Sequence, residues 1–375
     1  MNSVKILHTA DLHIGSGRIN VKGGKAEIEN TFLRIINTCK SQNVDFLLIA
    51  GDLFDTPFVS ADVASKIISA MSQIPDTIIV ISPGNHDCAC PGSVYLKYEF
   101  PENVIIFNSF LKYQDFPQKN VRLWGAGFTD RFESLPLLQS NIENSTDRIN
   151  ICVLHGELVA ENSSGTYNPI HPSTIEKSGF DYMALGHIHK RSDIEKLGKT
   201  HFSYSGCPDG MGFDETGSLG VYIGTVSKES ANLEFLEMSS REYIIDNVDI
   251  TLCKNTFDIS DKILSRVKQH YSEKFTENLY RITLTGTVPA DVSLSIAQLE
   301  SVLGDTLYYA EVIDKSDTDV THIEKLATET SLRGIFVRKM LDKLKSASLE
   351  EQLLYKNALK IGLQSFSKGV TLDDN

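Results

Sequence analysis

The sequence lacks the features that would place the chain in a membrane or outside the cell. No run of about 18 apolar residues occurs, which excludes an ordinary membrane-spanning helix. The first residues include neither a basic segment nor a cleavage site, so we expect no export signal and a cytoplasmic protein. The six cysteines form no Cys-x-x-Cys pair, which is typical of reduced thiols rather than disulfides or a structural zinc site.

The sequence also lacks the basic excess that is typical of proteins that bind nucleic acid alone. Lysine and arginine number 36, aspartate and glutamate number 49, and the net charge is −13. Either the substrate is not nucleic acid, or a partner helps to hold it. At 375 residues the chain is long enough for more than one folding unit, because single cores stop growing near ~250–300 residues.

Alternating strands and helices predict a layered α/β fold for residues 1–238. Apolar runs at Val4–Thr9, Val44–Ala50 and Thr77–Ser82 are expected as buried strands. Apolar residues at helical spacing predict helices over Glu27–Gln42 and Ser60–Ser72, the second with Ser60 as its N-cap. Strand patterns then outnumber helical ones, so the best description of this domain is a β-sandwich flanked by helices.

The pattern changes near residue 239. Residues 239–316 read as a β-α-β-α-β unit, which predicts a smaller α+β domain. The acidic stretch Lys315–Thr321 is typical of a linker, and it begins the third segment, 317–375. Leu332–Lys368 predicts two amphipathic helices with a net charge of +5. Such helices suit docking onto a partner helix or a nucleic-acid backbone, or simply cap the smaller domain.

Five short motifs place acids, histidines and one asparagine after predicted strands. They are Asp11-Leu12-His13, Gly51-Asp52-Leu53-Phe54-Asp55, Gly84-Asn85-His86-Asp87, His155-Gly156-Glu157 and Gly186-His187-Ile188-His189. Open α/β sheets hold their sites beyond the carboxyl ends of strands, so we expect these motifs to form one site. Imidazole, carboxylate and amide ligands together suit manganese, iron or zinc rather than calcium.

The number of donors predicts two metal ions rather than one. The candidate ligands are Asp11, His13, Asp52, Asn85, His155, His187 and His189. A shared carboxylate, here Asp52, lets two cations lie ~3.5–4 Å apart. Such a pair holds a phosphodiester and lowers the pKa of a bound water from ~15.7 toward neutrality, which supplies hydroxide. His86, next to Asn85, is the candidate acid for the leaving alkoxide.

The order of these motifs resembles that of the calcineurin-like metallophosphoesterases. The fuller stretches His8–Gly15, Gly51–Asp55 and Tyr204–Pro208 resemble the DNA-repair branch, which includes the SbcD and YhaO-like proteins. The resemblance covers roughly residues 4–240, and the following unit is similar in placement to the DNA-capping domain of that branch.

The resemblance implies how the candidate residues divide between the two ions. One ion takes Asp11, His13, Asp52 and His189, and the other takes Asp52, Asn85, His155 and His187. It further implies manganese as the metal, His86 as the catalytic histidine and Asp55 as the residue that orients it. Some members carry histidine in place of Asp55, which leaves exonucleolytic and endonucleolytic cleavage open.

The implied function is a manganese-dependent nuclease subunit of an SbcCD-type double-strand-break repair complex, associated with the nucleoid. The implied partners are DNA, an SbcC-like coiled-coil ATPase held by the helical tail, and a second copy of the chain. The first two helices would form that dimer, although Phe32 and Ile67 suit a core equally well. The alternatives are a phosphoesterase for a small nucleotide or a phosphoprotein, and an inactive scaffold.

Overall fold

The computed structural model describes residues 3–17, 24–139, 142–289, 294–319 and 323–368. The chain divides into two compact units, 1–242 and 243–375. The predicted boundaries at residues 238 and 316 stay predictions. Of the predicted helical segment 317–375, residues 320–322 and 369–375 lie outside the described residues.

Two sheets form the first unit. Its strands are β1 (Ser3–Thr9), β2 (Phe46–Ile49), β3 (Ile78–Ile81), β4 (Val104–Ile106), β5 (Lys112–Phe116), β6 (Val121–Gly125), β7 (Ile149–His155), β8 (Tyr182–Gly186), β9 (Glu195–Leu197), β10 (Thr200–Tyr204), β11 (Gly220–Ser227) and β12 (Ala231–Glu237). Its helices are α1 (Gly24–Ser41), α2 (Ala61–Met71), α3 (Val94–Lys97) and α4 (Pro172–Ser178).

The strand order places parallel strands at the centre of both sheets. The first sheet has the order β12-β11-β1-β2-β3-β4, in which β1 to β4 are parallel. The second has the order β5-β6-β7-β8-β10-β9, in which β6, β7, β8 and β10 are parallel. Parallel strands are buried on both faces, which explains why their sequences read as continuous apolar runs.

Neighbouring residues of one strand enter different cores. Ile6 and Leu48 pack with Val121 and Ile151 of the second sheet, in a core between the two sheets. Leu7 faces the other way and packs under α1 and α2. A further core under α4 covers the outer face of the second sheet. The predicted β-sandwich flanked by helices is therefore confirmed.

The first two helices are amphipathic, and their apolar faces are buried. Ser60 is the N-cap of α2, and its side chain accepts a hydrogen bond from the Val63 amide at 3.4 Å. Phe32 of α1 and Ile67 of α2 are fully buried in the core of this unit. These two side chains therefore belong to the core and are not exposed for a dimer contact.

The second unit is built on a small parallel sheet. Its strands are β13 (Tyr243–Asp249), β14 (Leu279–Thr285), β15 (Thr287–Pro289), β16 (Tyr309–Asp314) and β17 (Asp317–Asp319), and its helices are α5 (Thr256–Tyr271), α6 (Ile296–Gly304), α7 (Ile323–Ala327), α8 (Leu332–Ser346) and α9 (Leu349–Lys368). Strands β13, β14 and β16 pair in parallel, and α5 and α6 bury their apolar faces in the same core. None of the described helices is long and apolar enough to cross a membrane.

The predicted linker needs correction at its start. Asp317–Asp319 forms strand β17, which pairs in parallel with Thr287–Pro289. Main-chain pairing with a neighbouring short strand needs no apolar side chains, so this acidic strand has no apolar pattern from which it could be predicted. The two predicted tail helices are present as α8 and α9, and they share a small core through Val337 and Leu359.

Candidate metal centre

The predicted ligands lie together at the carboxyl ends of parallel strands in both sheets. Asp11 follows β1, Asp52 follows β2 and Asn85 follows β3 in the first sheet. In the second sheet His155 ends β7, and His187 and His189 follow β8. Parallel strands point their carboxyl ends to one edge, so residues far apart in sequence reach one place.

One group of donors combines a carboxylate with two imidazoles. The side-chain donor atoms of Asp11, His13 and His189 lie within 4.8 Å of one another. Nε2 of His13 and Nε2 of His189 face each other at 3.2 Å. Since two imidazole nitrogens at this distance need a proton or a cation between them, the group fits a metal ion.

A second group lies next to the first. Oδ1 of Asn85 is 2.9 Å from Nε2 of His155 and 3.1 Å from Nδ1 of His187. Asp11, Asp52 and His155 also have donor atoms within 4.8 Å of one another. The structure thus brings together all seven predicted ligands, and this mixture of oxygen and nitrogen donors fits divalent cations.

Asp52 lies between the two groups. Its Oδ2 is 3.4 Å from Nε2 of His155 and 3.9 Å from Nε2 of His13. The residue is 2% exposed. Burial acts to raise the pKa of Asp52, but the neighbouring histidines, led by His155, outweigh burial and lower it. The carboxylate is therefore held charged between the two groups of donors.

The backbone is strained at four of the predicted ligands. Asp11, His13, Asp52 and His187 have φ angles of 53°, 48°, 48° and 101°. Non-glycine residues rarely adopt such angles, which cost on the order of 1–3 kcal/mol each and occur mostly at functional sites. Main-chain hydrogen bonds support the loops, among them His13 N to Asp52 O at 2.9 Å. The fold thus holds these side chains in an otherwise unfavourable arrangement.

Two positions in the centre require glycine because predicted ligands lie too close to their Cα atoms for a side chain to fit. A Cβ atom at Gly51, where φ is +89°, would lie 2.2 Å from Nδ1 of His155. A Cβ atom at Gly84 would lie 2.3 Å from Oδ1 of Asp52. Any side chain at either position would displace a predicted ligand.

The pKa values of two predicted histidine ligands, His187 and His189, shift in opposite directions. Burial, together with the neighbouring His155, lowers the pKa of His187 to about 4, so its imidazole is neutral and able to bind a cation. Burial also acts to lower the pKa of His189, but the hydrogen-bonded Glu215 carboxylate, together with the charges of Asp11 and Asp52, outweighs burial and raises that pKa to about 9.

His86 lies at the open side of the centre. Its side chain is 38% exposed, and its ring centroid is 4.6 Å from that of His13. Its main-chain amide donates to Oδ1 of Asp52 at 2.8 Å, which fixes it to the predicted bridging residue. The carboxylate of Asp55 is closer to Nδ1 of His13, at 3.5 Å, than to Nδ1 of His86, at 3.9 Å.

Two acids contribute to the centre without having been singled out from the sequence. Glu215 hydrogen-bonds Nδ1 of His189 and also accepts from the Met211 amide at 2.7 Å. Glu215 lies in the loop between β10 and β11, away from the five motifs, so the regular spacing of the motif residues did not identify it. Asp87 is fully buried and accepts from the Gly84 amide at 2.7 Å and the Phe54 amide at 3.1 Å, joining two ligand loops. Its place in the Gly-Asn-His-Asp motif was the available signal.

The chain is similar to several known proteins. A family model described as calcineurin-like phosphoesterase matches residues 4–191. The chain is 29% identical over 309 residues to the uncharacterized metallophosphoesterase YhaO of Bacillus subtilis, covering 77% of this chain and 73% of that protein. It is 23% identical over 312 residues to the DNA double-strand break repair protein Mre11 of Sulfurisphaera tokodaii, covering 80% and 78%. Among solved structures, TT1561 of Thermus thermophilus aligns with 63% of this chain and 99% of its own, at 11% identity and a TM-score of 0.39.

Proposed function

Because this chain belongs to the calcineurin-like phosphoesterase family, we propose that it is a manganese-dependent nuclease that hydrolyses phosphodiesters of DNA. The expectation of a metal-dependent phosphoesterase is confirmed by the family match. The observation that carries the proposal is the position of Asp52 between two groups of metal donors, with His86 beside it. Similarity to a DNA double-strand break repair protein over 80% of the chain supports DNA as the substrate.

The residues of the centre have separate roles in binding metal and in holding the loops of the site together. Two divalent cations held by the seven predicted ligands would bind the phosphodiester oxygens and lower the pKa of a water molecule. Asp52 presents Oδ2 toward both histidine groups and uses Oδ1 to hold the main chain of His86. Buried Asp11 also accepts from the His187 amide at 3.0 Å, which ties the loops after β1 and β8 together.

His86 is placed to serve the leaving group. Its Nδ1 donates to the main-chain carbonyl of Asp55 at 3.2 Å, which leaves Nε2 as the proton-donating atom of the imidazolium form. Its partial exposure lets a bound substrate reach that atom. A positioned acid of this kind contributes about 10²- to 10⁴-fold to the rate.

Hydrolysis assays with three substrates test the proposal. Linear double-stranded DNA, single-stranded DNA and bis-p-nitrophenyl phosphate are incubated with Mn²⁺, Mg²⁺ or EDTA, for the wild type and His86→Ala. We expect DNA cleavage with Mn²⁺ that EDTA and the substitution abolish. The assays are repeated with an SbcC-like coiled-coil ATPase added. Hydrolysis of the small diester without DNA cleavage under both conditions would favour the alternative of a small nucleotide or phosphoprotein substrate.

The tail helices supply the proposed contact with an SbcC-like coiled-coil ATPase. Besides the side chains that α8 and α9 bury against each other, α9 exposes Leu349, Leu353, Leu354 and Ile361, which are 89%, 66%, 65% and 63% exposed. An apolar row on a helix suits packing against another helix. This proposal extends to an SbcCD-type repair complex, associated with the nucleoid.

Pull-down with a coiled-coil ATPase fragment tests the tail. We expect the double variant Leu353→Asp and Leu354→Asp to lose binding while it still hydrolyses the small diester. Leu252→Asp is the matched control, since Leu252 is an 84% exposed leucine in the same unit. Full binding by the double variant would refute this docking surface. Sedimentation velocity of the purified chain tests the proposed homodimer.

A further inference from the structure

Aromatic rings connect the surface of the first unit with the metal centre. Phe132 is 55% exposed, and its ring centroid lies 5.9 Å from that of Tyr167. The Tyr167 ring, which is partly exposed, lies 4.9 Å from the ring of His187, a predicted ligand. Their interplanar angles are 34° and 41°, so the rings are tilted rather than perpendicular to one another. The two rings form a contiguous aromatic patch rather than a single exposed side chain, and this patch leads directly to the centre.

The loops that carry the two aromatic residues are fixed to each other. The Glu133 amide donates to Thr166 O at 3.1 Å, and the Asn168 amide donates to Glu133 O at 2.6 Å. These main-chain contacts lie next to Phe132 and Tyr167 in sequence. The aromatic pair is therefore held by its backbone as well as by ring contact.

A buried asparagine fixes the same loops to the metal centre. Asn168 is fully buried, and its Nδ2 donates to the main-chain carbonyl of His155 at 2.7 Å. Its Oδ1 accepts from the Leu137 amide at 2.7 Å. Asn168 has a φ of 47°, an angle that asparagine adopts more readily than most residues. The aromatic surface thus has a defined position relative to a predicted ligand.

One cation, Arg131, lies beside the aromatic pair, in loops that also carry the acids Asp130, Glu133 and Glu157. The guanidinium carbon of Arg131 lies 5.9 Å from the Phe132 ring centroid. The nearby carboxylate of Glu157 accepts from the amides of Thr166 and Tyr167, at 2.6 Å and 3.1 Å, so it serves the loop. An exposed cation beside an exposed ring is the combination that binds single-stranded nucleic acid.

We propose that Phe132 and Tyr167 form a stacking surface for unpaired nucleobases next to the scissile phosphodiester. The inference rests on the proposed nuclease function and specifies its substrate as single-stranded DNA or a frayed duplex end. Tyr167 contacts a predicted ligand, so it receives the base nearest the cleaved bond, and Phe132 receives a base further along the strand. Stacking accepts any base, since every base has an aromatic face.

A double-mutant cycle, in which the protein loses the Phe132 ring and the substrate loses its bases, tests the proposed stacking of a nucleobase on Phe132. The wild type and Phe132→Ala are assayed with Mn²⁺ on a single-stranded oligodeoxyribonucleotide and on an abasic oligonucleotide of equal length. We expect the substitution to lower kcat/KM about 5- to 100-fold on the normal strand and to have little effect on the abasic strand. Phe132→Tyr, which keeps the aromatic face, should retain the wild-type value. Phe257→Ala is the control, because Phe257 is 63% exposed in the second unit.

Metal content and hydrolysis of bis-p-nitrophenyl phosphate distinguish failure of the stacking proposal from failure of the proposed nuclease function. Phe132→Ala should bind Mn²⁺ as the wild type does, since Phe132 is not a predicted metal ligand. Equal loss on the normal and abasic strands, or no loss on either, would overturn the stacking surface while the nuclease proposal stands. A wild type that hydrolyses the small diester and cleaves neither oligonucleotide would overturn the proposed function, and the stacking surface with it.

Discussion

Nδ1 of His86 hydrogen-bonds the main-chain carbonyl of Asp55 at 3.2 Å, whereas the Asp55 carboxylate lies 3.9 Å away. The peptide backbone therefore orients this imidazole, and the carboxylate is closer to His13. The resemblance to related phosphoesterases had suggested Asp55 as the orienting residue, and the structure places its carbonyl oxygen in that position. Because the Asp55 carbonyl rather than its carboxylate orients His86, changing the Asp55 side chain and removing the His86 imidazole should have different effects on turnover.

We predict that His86→Ala and Asp55→Asn differ strongly in turnover. His86→Ala removes the acid for the leaving group, so kcat should fall about 10²- to 10⁴-fold. Asp55→Asn keeps the carbonyl that orients His86, so the loss should be about tenfold or less. Steady-state cleavage of a DNA oligonucleotide with saturating Mn²⁺ provides both values, because its alkoxide leaving group needs a proton, and metal content is measured in parallel. Equal losses would show that the Asp55 carboxylate is needed for the function of His86.

A second prediction concerns Glu215, which holds Nδ1 of His189 and so directs Nε2 toward the centre. Carboxylates that orient a histidine ligand typically contribute 10- to 100-fold to metal affinity. We therefore expect Glu215→Gln to weaken Mn²⁺ binding by about that factor in calorimetric titration. Glu176→Gln, at an exposed acid on α4, is the control. Wild-type affinity in Glu215→Gln would exclude a positioning role for the carboxylate.

A third prediction concerns pH and the buried His8. Its Nδ1 lies 2.9 Å from the Tyr182 hydroxyl and its Nε2 lies 3.1 Å from Leu185 O, and burial lowers the pKa of His8 to about 3. The unfolded chain, with an ordinary histidine pKa near ~6.5, takes up this proton first. The contribution of His8 to stability is therefore complete above pH ~6.5 and is lost as the pH falls toward 3.

Denaturant unfolding at two pH values measures this effect. Between pH 7.5 and 5.5, the free energy of unfolding of the wild type should fall by about 1.4 kcal/mol more than that of His8→Asn, which takes up no proton. The difference between the two proteins cancels the titration of the acids they share. Parallel pH dependences would contradict a neutral buried His8.

Much of the fold could be predicted because buried parallel strands leave continuous apolar runs. Strand β1, Ser3–Thr9, agrees with the predicted Val4–Thr9 to within one residue, and Ser60 caps α2 as expected. Strand β5 was missed because it lies at an edge of its sheet, with most of its side chains exposed or half-exposed, and so has no apolar run. The strand Asp317–Asp319 was missed for a related reason, since its pairing depends on the main chain.

The site could be predicted as far as its ligands follow strands with short, regular spacing. Asp11 and His13 come together with His189 because the carboxyl ends of parallel strands meet, and a strand pattern in the sequence is enough to imply this. The hydrogen bond of Glu215 to His189 depends on the path of a loop between β10 and β11, which carries no periodic signal. The same holds for Tyr167, whose contact with His187 is set by tertiary packing.

The most direct test of the two-ion centre is the number of metal ions bound by the protein. Wild type and Asp52→Ala are equilibrated with Mn²⁺, freed of unbound ions by gel filtration and analysed by mass spectrometry of the metal. We predict two ions per chain for the wild type and loss of both from the variant, because Asp52 lies between the two groups of donors. One ion or none in the wild type, or two ions retained by the variant, would contradict the shared centre.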